Sequence, residues 1–508
     1  MMLQEVVAAA ADVAATRSRT AKARALADLI ARVEPDDAPA VTGLILGRPR
    51  QGRLGVGWRT LIERRPEAAS AARLTVRDVD EAFTALASAS GTGSAAVRVA
   101  ILDGLLSRAD AAEQDHLIRV MTGEMRTGAL EGVLVDAAAL ALRLPTSLVR
   151  RAAMLTGDIG ATIGSALRGD DLTAVDLTPG VPAAPMLAGA APTAAEAMAT
   201  SGAASVEYKL DGARLQVHRV GGTVTAYTRS LADITARVPD VVAVVESFPG
   251  GDLVLDGETL ALDESGAARP FQDTMSSLGR DGASPLHVWF FDILYGEGRS
   301  LIDEPLRVRR TVLAATVGEH VIGGSELSDG DADGAQRVLD DALAAGHEGV
   351  VVKSLDSTYA AGRRGAAWVK VKPVYTYDLV VLAVEEGSGR RSGMLSNIHL
   401  GARDPDGDVG EPGGFVMVGK TFKGLTDRIL AWQTDHFPTI ATRRDGHVLH
   451  LRPEVVVEVA VDGVQRSSRY PGGIALRFAR VKRYRIGADE KPPTEADTIA
   501  DLRALRRD

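Results

Sequence analysis

Apolar positions in the first third of the chain recur with helical spacing. Leu26, Leu29, Ile30 and Val33 follow an i, i+3, i+4, i+7 rule, and Val97, Ile101, Leu102 and Leu105 repeat it, so each stretch lines one helical face with apolar groups. Several packed helices are predicted, with Leu, Val and Ala filling a core almost free of aromatics. The periodicity stops between about Asp170 and Pro192, where Pro179, Pro182, Pro185 and Pro192 crowd together with several glycines, the signature of a linker. Beyond it the pattern shortens to β-type runs: SVEYKL, then RLQVHRV and TVTAYT joined at Gly221-Gly222, then DLVLDGETLAL, HVWFFDILY and GVVVK, with one helix around AQRVLDDALAAG. From about Tyr377 the strands continue (DLVVLAV, GFVMVG, EVVVEVAV) with one helical run near LTDRILAWQT, which suits a small closing barrel, and the tail after Pro492-Pro493 reads as a short helix. The expected class is multidomain α plus α/β plus β: an all-helical domain over 1–175, a linker over 176–195, a mixed α/β domain over 196–375 and a β-barrel over 376–508.

Composition bounds the function. A chain of 508 residues fits about three domains at roughly 150 residues each. Apolar runs of membrane-spanning length are missing, and the start carries Glu5 and Asp12 without a basic leader, so neither a membrane anchor nor a signal peptide is expected, and the cytoplasm, at the nucleoid, is the expected compartment. With no cysteine, disulfides, thiolate zinc sites and cysteine nucleophiles are excluded. The nine histidines lack metal-ligand spacing, and His447 and His450 read as surface strand residues. The net charge of -9 speaks against a nucleic-acid partner, but from Val464 to Ile486 seven basic residues (Arg466, Arg469, Arg477, Arg480, Lys482, Arg483, Arg485) occur without an acidic one, interleaved with Tyr470, Phe478 and Tyr484. Alone, that stretch reads equally well as a solvated basic strand pair.

The run EYKLDGAR, Glu207 to Arg214, carries the chemistry. It places Lys209 where one β run ends and the next begins. A lysine amine attacks a phosphorus or carbonyl centre only when deprotonated; its ordinary pKa is about 10.4, so neighbouring cations or desolvation must lower it, and Arg214 and a bound metal can do so. Further on stand Arg229 in YTRS, Glu258 in LDGE, Phe291 in WFFDILY, Glu348 in HEGVVVKS, Arg364 in AGRRG, and Lys370 and Lys372 in WVKVK. Taken singly each is bland: Phe291 reads as core, Glu258 as a turn carboxylate, Arg364 as a loop charge, Lys370 and Lys372 as a solvent-facing ladder. Gly414 to Thr421 formally fits the phosphate-loop pattern G-x-x-x-x-G-K-[ST], but Phe-Val-Met-Val prefers an extended strand, so that reading is rejected.

In this order the elements resemble the nucleotidyltransferase motifs of the ATP-dependent DNA ligase family, shared with RNA ligases and mRNA capping enzymes. The resemblance implies that Lys209 attacks the α-phosphorus of ATP and holds AMP as a phosphoramidate. It implies that Phe291 stacks on adenine with Glu207 beside the base, that Arg214 and Arg229 contact sugar and phosphates, that Glu258 and Glu348 hold Mg2+, and that Arg364, Lys370 and Lys372 surround the α-phosphate. The helical third is similar to that family's DNA-binding domain through VMTGEMRTGALEGVL, with Arg126 and Gly128 in matching places, and through MLTGDIG near Met154; PMLAG from Pro185 resembles the start of the catalytic core. The end looks like the last motif on an oligonucleotide-binding barrel, but departs from Arg-x-Asp-Lys: Arg485 is followed by three residues before Asp489-Glu490-Lys491, which leaves their role open. The implied protein is a monomer that encircles nicked duplex DNA with little base readout, seals nicks in repair, recombination or replication, and weakens its grip steeply with salt. An RNA ligase or guanylyltransferase using the same lysine, and a non-catalytic nick-binding scaffold, are the competing readings.

Overall fold

The structure, a computed structural model, describes all residues except 64, 72, 126–130, 265, 267, 270–272, 275–284, 361–363, 388–390 and 506–508, and leaves the side chains of residues 59, 62, 63 and 364 undescribed. Arg126 and Gly128 therefore lie outside the described residues. Among those described, no helix is long and apolar enough to cross a membrane.

Ten α-helices between Leu3 and Arg168 share one core. Leu26, Leu29, Ile30 and Val33 are all buried, as their spacing requires, although the helix ends at Ile30 and Val33 reaches the core from the turn after it. The second predicted face is only half right. In the helix Ser94–Leu106, Leu102 and Leu105 are buried whereas Val97 is half exposed, because this helix packs through its C-terminal half.

The middle of the chain is four layers deep. One five-stranded sheet has the order β1 (Leu187–Ala191), β10 (Arg364–Val371), β9 (Gly349–Ser354), β2 (Ala204–Lys209), β8 (Gly324–Leu327); the other runs β4 (Thr223–Thr228), β3 (Ala213–Val220), β5 (Leu253–Ala261), β6 (Leu286–Gly296), β7 (Arg299–Ser300). Strand alternation decides what each face meets. Val206, Val350, Val352, Val369 and Val371 pack outward against the helices Ala194–Ser201 and Ala332–Ala344. Leu215, Val217, Leu255, Phe290 and Ile293 pack outward against Pro239–Glu246 and Leu306–Val317. The intervening positions of both sheets face each other, and Leu210, Val254, Leu260, Phe291, Leu294, Tyr359 and Trp368 join there. Among the described residues three helices here go beyond the sequence expectation: Ala194–Ser201 and Pro239–Glu246 have only eight residues each, too few to show a period, and Leu306–Val317 interrupts its apolar stripe with the buried Arg309. The segment read as linker ends in a strand: β1 pairs parallel with β10.

The last part is a seven-stranded sheet in which β11 (Tyr375–Glu386) pairs with β12 (Leu395–Asp404), β15 (Val448–Leu451) and β16 (Val456–Val461), and β16 also with β19 (Arg480–Tyr484). It curls round one apolar core, with β17 (Gly463–Arg466) and β18 (Ile474–Arg477) as a separate ribbon. Gly414–Thr421 is a strand, β13, paired with β12 as its β-branched composition predicts. The tail forms the helix Ile499–Ala504.

The proline-rich connection is pinned to β3. Gly180 N–H donates to His218 Nδ1 at 2.9 Å and Ala183 N–H to Gln216 Oε1 at 2.8 Å, while Tyr227 donates to the Gly180 carbonyl at 3.2 Å. An accepting Nδ1 requires a neutral ring, and burial pulls His218 down to about 4. Unfolded histidine titrates near about 6.5, so between those values the unfolded chain binds a proton that the folded chain refuses, and stability falls as pH drops across that window. His116, also lowered to about 4 by burial, acts in the same direction, so the test is differential. In thermal melts between pH 7 and pH 4.5, His218→Gln is expected to lose midpoint less steeply than the parent; equal slopes would show that His218 does not titrate in this window.

Candidate active site

The site forms where β2 turns into β3. Antiparallel pairing of β2 with β9 sets Lys209 opposite Gly349, and Glu348 N–H donates to the Lys209 carbonyl at 2.9 Å. The register brings the Lys209 ammonium onto Glu348 Oε2 as an ion pair. The glycines of the turn are dictated by space. A Cβ on Gly212 would sit 2.3 Å from the Thr259 carbonyl oxygen. Gly349, at φ +146°, would place one 2.2 Å from the Val371 carbonyl oxygen. The lysine turn can thus lie against β5, and the start of β9 against β10, because neither carries a side chain at these contacts.

Glu258 lies opposite Arg214 in the β3–β5 register. Burial raises its carboxyl to about 7, helped by Asp256 and Glu348 and opposed by Lys209 and Arg214. Asp211 lies beside Glu348 as well; burial works against its charge, yet the bond and charge of Arg477, with Glu348 and Lys209, together hold it below the usual carboxylate range. Asp211, Glu258 and Glu348 therefore all lie within electrostatic reach of Lys209, although among the described residues no three such groups stand close enough together to hold a metal ion by themselves.

Deeper in, the charges are paired. Arg214 grips Asp256 with two bonds of 3.0 and 2.7 Å and donates to the Met186 carbonyl at 2.7 Å, while Tyr359 donates to Asp256 at 2.7 Å. Glu207 is 1% exposed; its Oε1 accepts from Arg310 at 2.6 Å and Ser205 at 2.9 Å, and its Oε2 pairs with Lys353. Lys353 is itself buried, which pushes its ammonium down, and donates to the Phe291 carbonyl at 3.1 Å. The Phe291 ring has the Lys353 ammonium 4.3 Å from its centroid and the Arg214 guanidinium at 5.3 Å, and meets Trp368 edge-on at 5.9 Å. Phe291 is core and also cation-flanked, so both readings of it describe part of the residue.

Other expected residues fall at the margins. Lys370 stands in β10 opposite Val351, on the face turned to the second sheet. Lys372 follows β10 and binds Asp462 of the barrel at 2.6 Å. Arg229 lies in the exposed turn after edge strand β4, level with Arg214. Arg364 opens β10 with an undescribed side chain.

Arg477 was visible only as one charge of a basic stretch. It reaches across from β18 to both Asp211 oxygens and to Glu348 at 3.4 Å, so the barrel closes over the lysine turn. Much of that stretch is matched with carboxylates: Arg480 with Asp462, Arg483 with Glu458 and Asp489, and Arg485 with Asp378 and Glu458. Lys491 also binds Asp378, at 2.9 Å, so Arg485 and Lys491 of the displaced last motif converge on the barrel's own aspartate, while Asp489 pairs with Arg483. Phe478, beside Arg477, takes φ +54° and stands half exposed between Lys372 and Lys423, 5.7 and 5.6 Å from its ring. Asp256 and Lys353 stand inside the elements LDGE and HEGVVVKS, where only the glutamates are singled out, while Arg310 and Tyr359 lie outside every motif.

Comparisons with known proteins agree along the chain. Family models described as "ATP dependent DNA ligase domain", "DNA ligase N terminus" and "ATP dependent DNA ligase C terminal region" match residues 185–372, 59–139 and 391–487. A "Probable DNA ligase" of Pseudarthrobacter chlorophenolicus is 56% identical over 100% of both chains. One of Saccharopolyspora erythraea is 52% identical over 100% of this chain and 98% of its own. The solved structure described as Pmar-Lig_Pre matches 96% of this chain and 99% of its own with TM-score 0.61 at 19% identity, a likeness of fold.

Arg477→Ala removes the two-pronged bond to Asp211 and leaves Lys372 with Asp462 as a remaining tie. We expect small-angle scattering of the free chain to show a larger radius of gyration, and proteolysis near residues 373–375 to quicken. An unchanged scattering curve would mean that the barrel is held by other contacts.

Proposed function

The chain belongs to the ATP-dependent DNA ligase family, and from that premise we propose that Lys209 is the nucleophile that takes AMP from ATP and passes it to the 5′-phosphate of a nick in duplex DNA. The observation that carries this reading is the convergence of Lys209, Glu348, Glu258 and Asp211 at a turn whose glycines leave no room for any other residue.

The amine must part from Glu348 and lose its proton before it bonds to the α-phosphorus; pyrophosphate leaves as that bond forms. AMP then passes from the lysine nitrogen to the nick 5′-phosphate. The 3′-hydroxyl attacks this activated phosphate, AMP departs, and the backbone is joined. Glu258 and Glu348, with Asp211 beside them, would hold Mg2+, whose charge offsets that of the triphosphate. At the far end of the pocket Phe291 offers a face for adenine and Glu207 an acceptor for its edge. Arg214, tied to Asp256 and Met186, has a fixed guanidinium from which to meet the sugar, and Lys370 faces the phosphates. Arg229, Lys372 and Arg364 complete the phosphate-binding set once the barrel moves.

The proposed organisation is a helical DNA-binding domain over 1–175, a connection over 176–195, an adenylation domain over 196–375 and an oligonucleotide-binding barrel over 376–508, acting as one monomer on nicked DNA at the nucleoid. Phe478 supports a DNA-facing role for the barrel: an aromatic held out in a left-handed backbone between two lysines suits a nucleotide with its phosphates.

Incubation with ATP labelled at the α-phosphate, with Mg2+, is expected to label the protein covalently, and Lys209→Ala to abolish the label; equal labelling of the variant would exclude Lys209. Phe478→Ala should label normally yet seal nicks more slowly through a weaker hold on DNA, by about tenfold on the scale of one stacked aromatic. Gel-shift titration on a nicked duplex checks this, and unaltered binding would remove Phe478 from the DNA surface.

A further inference from the structure

We infer that Arg310 is a positioning residue that sets purine selectivity by fixing the carboxylate of Glu207. This inference rests on the adenylation reading above. Arg310 lies in the first turns of the helix Leu306–Val317, outside the pocket, and no motif points to it. Its side chain is a strut through the sheet: Nη1 donates to Glu207 Oε1 at 2.6 Å, and Nε donates to Glu326 Oε1 at 2.9 Å on β8.

A carboxylate offers about four lone-pair directions. Arg310 and the Ser205 hydroxyl occupy Oε1, while Lys353 approaches Oε2 from the Phe291 side. One direction on Oε2 remains for a ligand. Because three donors fix the carboxylate, that direction does not wander, and it can only accept. A purine with an amino group at position 6 donates into it; one with a carbonyl there presents a second acceptor and is repelled. A buried polar group built to receive a donor rejects a ligand that lacks one far more strongly than an apolar pocket rejects a misfit. Lys353 also ties this edge to the stacking face, since the same ammonium holds Glu207 and the Phe291 carbonyl. Of the two charged donors Arg310 can be altered with less damage: Lys353 is embedded in the core, whereas Arg310 reaches the surface through Glu326, which is half exposed.

The test measures the rate of covalent labelling of the full chain against the concentration of ATP, of GTP and of purine riboside triphosphate, which has neither group at position 6. With Arg310→Met the KM for ATP should rise about tenfold with little change in maximal rate, the pattern of lost ground-state binding. The preference for ATP over purine riboside triphosphate should shrink. Arg310→Lys should recover part of it, and Glu326→Gln should behave like the parent. Removal of one partner of a buried ion pair can destabilise a fold, so Ser205→Ala, which takes a neutral donor from the same oxygen, provides a second measurement and should erode selectivity in the same direction. Unchanged selectivity in folded Arg310→Met and Ser205→Ala, or a fall in maximal rate at constant KM, would overturn the inference while leaving adenylation intact. Absence of label from the parent would overturn both.

Discussion

One strand register governs the catalytic centre. The pairing of β2 with β9 sets Ser205 against Lys353, Glu207 against Val351 and Lys209 against Gly349. With side chains alternating, Ser205, Glu207 and Lys209 all turn toward the second sheet, while Ala204, Val206 and Tyr208 turn toward the helices. A slip of one residue would exchange the two sets, driving three polar groups into an apolar layer and emptying the cleft of its chemistry. The valines of Gly349–Ser354 hold that register from behind, so the apolar face that builds the domain also fixes where the amine appears.

Burial then divides the pocket into two kinds of charge. The side chains of Glu207 and Lys353 are 2% and 3% exposed and are bound to each other. Lys209 and Glu348 are 26% and 16% exposed, Arg477 and Asp211 21% and 24%. Deep pairs resist exchange because separating them leaves a charge in a poor solvent, whereas shallow pairs can trade partners with a phosphate at small cost. The base end of the pocket is thereby rigid and the phosphate end exchangeable, which is the arrangement a covalent transfer needs: a fixed handle on the nucleotide and mobile charges about the reacting atom.

Much of this was legible from residues alone. Lys209, Glu348 and Glu258 come together as their motifs imply, Gly414–Thr421 is a strand because its composition is that of one, and the helical stripe at Leu26 is buried. Partners supplied across the fold were not legible. Arg310 sits in a helix of ordinary amphipathic pattern, and its value comes from a strand more than a hundred residues earlier in the chain. Arg477 belongs to a basic run that sequence could assign to solvent, and only the closed barrel gives it Asp211. The helix around Val97 misled for a related reason: periodicity reports that a face exists, but how far along the helix its neighbour extends is decided by the partner.

The charge balance of the barrel bears on how a protein of net charge -9 meets DNA. Arg477, Arg480, Arg483 and Arg485 are matched here with Asp211, Asp462, Glu458, Asp489 and Asp378, so these four cations are engaged within the closed barrel and its neighbour. One of these ties, Arg477 with Asp211, and a further one, Lys372 with Asp462, cross between the barrel and the adenylation domain, and both use residues that also flank Phe478 or the lysine turn. Any movement of the barrel away from the lysine turn would break both together and free Arg477 and Lys372 beside Phe478, which already stands half exposed. The net charge of the chain thus understates its cations, because carboxylates of the same surface offset them.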